Sequence, residues 1–207
     1  MRNTRGNGNN LREELLRSAT HLLMTLGTEE ALSVRGVAKG AGVSANAVYL
    51  HFESKQDLLL AVLQRLFADL AQRRDAAAQA AQEAGGGLWE VLLARSYSYV
   101  DWGISNPGPY RVLYEGRAIN RLGNPREGAF GQSMLDRTEQ IVGELARSGS
   151  IEPEVGPQRA SLLLWTALHG IVSLRINKDT IAWPHPHQLA DQMITAIMRP
   201  RPGSDGP

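Results

Sequence analysis

The stretch Ser33–Phe52, SVRGVAKGAGVSANAVYLHF, decides how this chain is interpreted. A short segment with helical apolar spacing, a turn containing Gly40 and Gly42, and a second short segment predict two helices joined by a sharp bend. Ser33 and Ser44 stand where the N-caps of these helices are expected. Two short helices around a glycine-containing turn are typical of a helix-turn-helix, which places its second helix in the major groove of DNA.

The outer face of the second helix is small or polar, so nothing on it should obstruct entry into a groove. Arg35 lies early in the first helix, near the expected position of the DNA backbone. Lys55 begins the following long helix, where a cation and free backbone N–H groups together bind phosphate. Val43 and Val48 are expected to fill the core beneath the motif. The outward residues are Ser44, Ala45, Asn46, Ala47 and Tyr49.

The composition narrows the class of protein. The 207 residues carry a formal net charge of +1, so an anionic partner must be bound by a local patch rather than by a chain-wide basic field. The absence of cysteine excludes disulfides, thiolate metal sites and cysteine nucleophiles. Residues 1–10 are polar and no run of about 18 apolar residues occurs. We therefore expect a cytoplasmic protein without a secretory signal or a membrane partner.

Helical spacing dominates the rest of the chain, and no alternating run bounded by turns indicates a sheet. We expect an all-α protein of about nine helices, with a three-helix helix-turn-helix head on a helical body. Gly85–Gly87 is the best internal boundary, because three glycines end a helix. The expected division is a DNA-binding domain over 1–54 with a mobile arm over 1–9, a connecting helix over 55–84, a body over 85–199 and a flexible tail over 200–207.

The run from Ala41 to Leu60, AGVSANAVYLHFESKQDLLL, closely resembles the DNA-binding head of the TetR-type (tetracycline-repressor-like) transcriptional regulators. The resemblance covers about residues 10–70 and implies an all-helical homodimer that binds a palindromic operator in double-stranded DNA and is released by a small ligand. The matching pieces are Ala41-Gly42-Val43-Ser44, Tyr49-x-His51-Phe52 and Ser54-Lys55-x-x-Leu58.

The same resemblance implies roles for individual side chains. Tyr49, His51 and Lys55 are expected to contact or position the DNA backbone. Ser44 and Asn46 are expected near base edges. With the residues derived from the pattern itself, the candidate DNA-binding set is Ser33, Arg35, Ser44, Ala45, Asn46, Ala47, Tyr49, His51 and Lys55.

Two glycines depart from the family pattern. Gly36 and Gly40 stand in the first motif helix and at its end, where an acidic or helix-favouring residue is more usual. An interior glycine costs about 0.5–1 kcal/mol relative to alanine. We therefore expect the DNA-binding head to be less rigid in the free protein than when it is bound to DNA.

The second half resembles a C-terminal domain found in a subset of these regulators. That resemblance implies a helical ligand-binding and dimerisation domain and names no ligand. The residues that carry it are Tyr99-x-x-Trp102-x-x-x-Asn106-Pro107-x-x-Tyr110-Arg111 and Trp165-x-x-x-His169-Gly170.

Trp165 and His169 are four residues apart and share one helix face, where Gly170 is expected to let a neighbouring helix approach closely. They are either core residues or part of a pocket for a flat, largely apolar effector. No acid lies centrally in this pattern, which disfavours a strongly cationic ligand. Asp101 and Glu115 nevertheless keep that class of ligand open. The candidate ligand-binding residues are Trp89, Tyr97, Trp102, Tyr110, Tyr114, Trp165 and His169.

No residue pattern predicts catalysis, a metal or a cofactor. His185-x-His187 has poor ligand spacing between prolines and is interpreted as a loop with two solvated imidazoles. No Ser/His/Asp arrangement or glycine-rich phosphate loop occurs, which argues against an enzyme.

The apolar segment 157–177 has too much apolar surface for a peripheral helix. Paired with 187–198 and their two-fold mates, it predicts a four-helix dimer interface. We expect a ligand-responsive DNA-binding regulator, in the form of a repressor. The alternatives are a constitutive dimeric DNA-binding regulator without an effector and, third, a helical enzyme.

Overall fold

The computed structural model describes residues 5–28, 32–114 and 128–201. Within these ranges β-pairing is limited to one isolated bridge between Ile151 and Pro200, and the predicted all-α class is confirmed. None of the described helices is long and apolar enough to cross a membrane. The helices are α1 (Arg5–Leu26), α2 (Val34–Gly40), α3 (Ala45–Tyr49), α4 (Lys55–Glu83), α5 (Leu88–Ser105), α6 (Pro107–Tyr114), α7 (Gly128–Arg147), α8 (Pro157–Asn177) and α9 (Pro186–Met198).

Serine caps begin both helices of the helix-turn-helix, as the sequence predicts. Ser33 Oγ accepts a hydrogen bond from the Gly36 N–H at 3.0 Å, and Ser44 Oγ accepts one from the Ala47 N–H at 3.3 Å. Between the helices, Gly42 has a φ of +68°, a left-handed conformation that favours glycine. The local chemistry of the chain therefore determines where α2 ends and α3 begins.

A reciprocal cap begins α4. Ser54 Oγ accepts a hydrogen bond from the Asp57 N–H at 3.1 Å, which is half of a capping box. Asp57 Oδ2 accepts the return bond from the Glu53 N–H, also at 3.1 Å. The return bond thus reaches one residue beyond the cap.

The contacts divide the chain into two compact units. The first unit holds residues 1–68 and 106–124, and the second holds 69–105 and 125–207. The predicted boundaries between the DNA-binding head, connecting helix and body stay a prediction. Fully buried side chains of the first unit include Leu15, Leu23, Val37, Leu58 and Tyr110; those of the second include Leu92, Val100, Ile141, Leu164 and Ile194.

Helix α6 belongs to the first unit because it packs on α1. A Cβ added to Gly108 would lie 2.7 Å from the carbonyl oxygen of Met24 and 2.9 Å from that of Leu23. The helix begins at Pro107. Proline is tolerated in the first turn of a helix, where its missing N–H has no intrahelical partner.

Regular structure includes residues 5–9 and the pair Pro200 and Arg201. Helix α1 begins at Arg5, so residues 5–9 of the expected arm are helical, and residues 1–4 lie outside the described ranges. Pro200 forms the bridge to Ile151, and the Arg201 N–H donates to the Ser150 carbonyl at 3.0 Å. Pro200 and Arg201 are therefore bonded to the segment that follows α7, residues 202–207 lie outside the described ranges, and the flexible tail stays a prediction.

Close packing explains the two unusual glycines of α2. A Cβ on Gly36 would lie 2.9 Å from Ser33 Oγ, and one on Gly40 would collide with Ser18 Oγ. Ser18 uses that space to donate a hydrogen bond to the Val37 carbonyl at 3.0 Å. In contrast, the close helix approach predicted at Gly170 is absent from the described chain, because no atom of another helix lies within 4 Å of its added Cβ.

Candidate DNA-binding surface and body residues

Helix α3 buries one side and presents the other to solvent. Val48 is 1% exposed, and this confirms its predicted place in the core beneath the motif. Val43 is half-buried. On the opposite side, Asn46 is exposed and Tyr49 is 54% exposed, with Ala45 and Ala47 half-buried beside them. This outer face is small enough to enter a groove and carries one amide and one phenol.

Polar groups flank that face. Arg35 is exposed in the first turn of α2, and Lys55 is the first residue of α4, where helix geometry leaves first-turn N–H groups without intrahelical partners. His51 is half-buried between α3 and α4. The Ser33 and Ser44 hydroxyl oxygens accept the capping hydrogen bonds from backbone N–H groups. Their own O–H groups remain able to donate to another partner.

The local charge is one-sided although the chain is nearly neutral. No acid occurs from Leu32 to Phe52, whereas Arg35 and Lys39 are both exposed there. This is the kind of local patch that a phosphate backbone requires. Sequence reasoning missed Lys39, although the acid-free run was visible in the chain.

Two further features of this unit were not predicted. Leu50, the C-cap of α3, is 77% exposed. The Arg12 guanidinium lies over the Phe52 ring, 5.1 Å from its centroid, in a cation–π contact. Arg12 is far from Phe52 in sequence, so no local pattern could have found that pair.

In the second unit, a four-residue network joins α5 to α9. The Tyr97 hydroxyl donates to Asp191 Oδ1, and the Tyr97 ring stacks on His187 at 4.3 Å between centroids and 12° between planes. His187 Nε2 lies 2.7 Å from Asp101 Oδ1. Burial first, and then the hydrogen bond to and charge of Asp191, raise the pKa of the Tyr97 phenol well above its usual value.

That network corrects the interpretation of His185 and His187 as two solvated imidazoles. The His187 ring stacks on Tyr97, and its Nε2 forms a hydrogen bond with Asp101. His185 is exposed, and its Nδ1 accepts from the His187 N–H at 3.3 Å to cap α9. Within the described ranges, no cluster of three or more His, Cys, Asp or Glu side chains could bind a metal ion.

Two tryptophans of α5 lie in the core of the second unit. Trp102 donates its Nε1–H to Asp69 Oδ2 at 2.9 Å, and Arg73 donates to the same carboxylate oxygen at 3.0 Å. Trp89 is buried, and its Nε1 has no hydrogen-bond partner among the described residues. A buried donor without an acceptor is costly and requires an explanation.

Buried arginines also join helices of the second unit. Arg95 on α5 pairs with Asp75 on α4. Arg74 donates to the Arg95 carbonyl at 3.3 Å and to Thr138 Oγ1 on α7 at 3.4 Å. These bonds bind α4, α5 and α7 together.

The remaining candidate ligand-binding residues are spread over both units. Trp165 is 38% exposed on α8, with its ring 5.9 Å from that of His169, so it is not a core residue of the described chain. Tyr110 and Tyr114 belong to the first unit, where their rings lie 4.9 Å apart. Tyr97 stacks on His187 instead of gathering with Trp165. Their assignment to a ligand stays a prediction.

Comparison with known proteins identifies the family. The family model described as bacterial regulatory proteins, tetR family, matches residues 15–62. The model described as tetracyclin repressor-like, C-terminal domain, matches residues 92–197, which is more than half of the chain. The chain belongs to the TetR family. The Trp-His-Gly pattern that suggested a C-terminal subtype is not itself confirmed as a marker of one.

Solved structures share the fold over nearly the whole chain. A protein of unknown function from Rhodococcus sp. RHA1 is 25% identical, with a TM-score of 0.77 over 91% of this chain and 95% of that one. The fatty acid degradation regulator FadR from Bacillus halodurans is 16% identical, with a TM-score of 0.72 over 92% and 97%. AibR, solved with isovaleryl coenzyme A and operator DNA, is 18% identical, with a TM-score of 0.68 over 92% and 100%.

Family and fold together make this chain a DNA-binding transcriptional regulator with a helix-turn-helix and a ligand-binding C-terminal domain. They indicate a regulator and not an enzyme. TetR-family regulators bind operator DNA and act as dimers.

Proposed function

We propose that this regulator is a ligand-responsive repressor that binds a palindromic operator as a homodimer and is released by a small, largely apolar effector. The observation that carries the proposal is the outer face of α3, where Asn46 and Tyr49 are exposed opposite the buried Val48. An exposed helix face within an acid-free segment suits the major groove of double-stranded DNA. Such a protein works in the cytoplasm, where its operator is accessible.

The proposed contacts divide into two classes. Lys55, Arg35, His51 and Tyr49 bind or position the phosphate backbone, which supplies affinity for any duplex. Ser44 and Asn46 face base edges, with Ala45 and Ala47 allowing close approach; asparagine can form two hydrogen bonds to adenine. Ser33 supports the surface through its cap on α2.

The proposed dimer interface is the outer face of α8 with α9. Large apolar side chains are exposed along it, although both helices also have fully buried faces. A row of this kind supports the proposal that a second copy covers this surface. The exposed residues are Leu162, Leu163, Trp165 and Leu174 on α8 and Met193 on α9.

The effector is proposed to bind in the C-terminal domain. The unpartnered Trp89 Nε1–H supports this, because a bound molecule with an acceptor atom would satisfy it. The aromatic side chains of α5 suit a largely apolar molecule. AibR was solved with isovaleryl coenzyme A, and FadR is named for fatty acid degradation. Acyl thioesters and fatty acids are therefore the first effectors to test.

Selection from fragmented genomic DNA tests operator binding. The purified full chain is mixed with the fragments, retained duplexes are sequenced, and footprinting maps the protected bases. We expect a protected palindrome with half-sites about one helical turn apart, or a multiple of it, and an affinity that falls steeply with salt. Retention of all fragments alike would contradict the proposal.

Release is tested on the same complex. Fatty acids, their coenzyme A thioesters and aromatic acids are screened for thermal stabilisation of the free protein and then for loss of operator binding. We expect one class to do both, with a coupling of about 1–3 kcal/mol between the two sites. A protein that binds its operator and responds to none of these compounds would favour the constitutive regulator instead.

A further inference from the structure

Leu50 is the most exposed large apolar side chain among the described residues, at 77%. It stands at the C-cap of α3 in a helical conformation, with φ −74° and ψ −15°. Asn46 is four residues earlier and therefore lies on the same side of the helix, with the half-exposed Tyr49 between them in sequence. The outer face of α3 thus has a polar beginning and an apolar end.

On a DNA-facing helix, an apolar end is best matched by an apolar group of the duplex. The segment around it is acid-free and carries Arg35 and Lys39, so its charge is complementary to a phosphate backbone. Among base edges in the major groove, the apolar group is the C5-methyl of thymine. Burial of Leu50 against this methyl removes apolar surface of both partners from water.

We propose that Leu50 is a specificity-determining residue that packs on the C5-methyl of one thymine in each operator half-site. The inference rests on the proposed function, since it requires α3 to lie in the major groove. Four residues of helix span about 6 Å, and successive base pairs are about 3.4 Å apart. The thymine contacted by Leu50 therefore lies within about two base pairs of the base read by Asn46.

The test replaces single thymines by deoxyuridine, which keeps every hydrogen-bonding group and removes only the methyl. Each thymine of the selected operator is replaced in turn, and the affinity of the full chain is measured. We expect one position per half-site to weaken binding about fourfold, the value of one buried methyl-sized group. Other thymines should leave the affinity unchanged.

The variant Leu50→Ala completes the comparison. Because the side chain is exposed, its removal should leave the unfolding transition unchanged, and this is checked by a thermal melt. Leu50→Ala should lose affinity for the thymine operator and show no further loss with deoxyuridine at the sensitive position. Leu26→Ala is the matched control, because Leu26 is an exposed leucine at the end of α1, in the same unit. Its affinity should equal that of the wild type.

The outcomes separate this inference from the proposed function. If the wild type binds an operator and no deoxyuridine position matters, the thymine contact is wrong while DNA binding stands. Equal weakening of Leu50→Ala on all duplexes would show a contact to the sugar-phosphate backbone and would also overturn it. If the wild type retains no preferred duplex, the proposed function fails and the thymine contact fails with it.

Discussion

Gly108, in the first turn of α6, lies directly against the backbone of Met24 near the end of α1. A Cβ at position 108 would be 2.7 Å from the Met24 carbonyl oxygen and 3.3 Å from its carbonyl carbon. Backbone atoms inside a helix cannot rotate away as a side chain can. The absence of one methyl group at Gly108 therefore determines how closely α6 packs on α1.

Gly108→Ala should destabilise the first unit, because overpacking against rigid backbone costs about 1–3 kcal/mol and exceeds the helix propensity gained. Urea unfolding monitored by circular dichroism gives the free energy of unfolding. Gly143→Ala is the control, because its Cβ would meet only Pro157 at 3.9 Å. That variant should be neutral or stabilised by up to about 1 kcal/mol. Equal effects of the two variants would contradict the packing argument.

Lys55→Ala and Asn46→Ala should differ in kind. Loss of a phosphate contact at Lys55 weakens binding to all duplexes and reduces the slope of log affinity against log salt by about 1. Loss of a base contact at Asn46 costs about 1–3 kcal/mol on the preferred operator and relaxes the preference between bases. Affinities on matched and mismatched duplexes at several salt concentrations provide the comparison. Two variants that behave alike would show that the backbone and base roles are misassigned.

Leu162→Glu should dissociate the dimer. Leu162 is 48% exposed on the α8 face proposed as the interface, and a buried unpaired carboxylate there costs several kcal/mol. Light scattering after size exclusion reports the mass. The same change at Leu26, an exposed leucine on α1, should leave the mass unchanged. A dimeric Leu162→Glu protein would locate the interface elsewhere.

Tyr97→Phe should change how stability depends on pH. The folded protein raises the pKa of the phenol above its usual value of 10.0, so its contribution is complete below pH 10.0 and is lost as pH rises above it. At neutral pH the variant lacks the bond to Asp191, worth about 1.5–3 kcal/mol for a charged acceptor. The unfolding free energies of the two proteins, measured between pH 7 and 11, should draw closer to each other above pH 10.0. Parallel curves would mean that Tyr97 does not carry this linkage.

The helix-turn-helix could be predicted because its determinants are local. Ser33 and Ser44 cap helices that begin one residue later, and Gly42 takes a left-handed conformation that favours glycine. The burial of Val48 and the exposure of Asn46 follow from helical spacing. The DNA-facing candidates were therefore visible in the chain, apart from Leu50, whose exposure depends on where α3 ends.

The body was less predictable because its contacts join distant residues. Nothing near His187 in sequence indicates that it stacks on Tyr97. Trp165 and Tyr97 are both aromatic candidates in the sequence, but Trp165 is exposed whereas Tyr97 is packed against His187. Apolar periodicity predicts that a helix has a buried face. It does not distinguish a face covered by the same chain from one covered by a second copy or a ligand.

By itself, the sequence determined the all-α class, the caps and turn of the DNA-binding motif, and the family, because these depend on residues within a few positions of one another. Only the tertiary structure decided that α6 packs on α1 at Gly108 and that the missing side chain of Gly40 leaves room for the Ser18 hydroxyl. The same is true of the hydrogen bond between Tyr97 and Asp191, which joins α5 to α9. Those features depend on distances between segments far apart in the chain, and close packing rather than local propensity sets such distances.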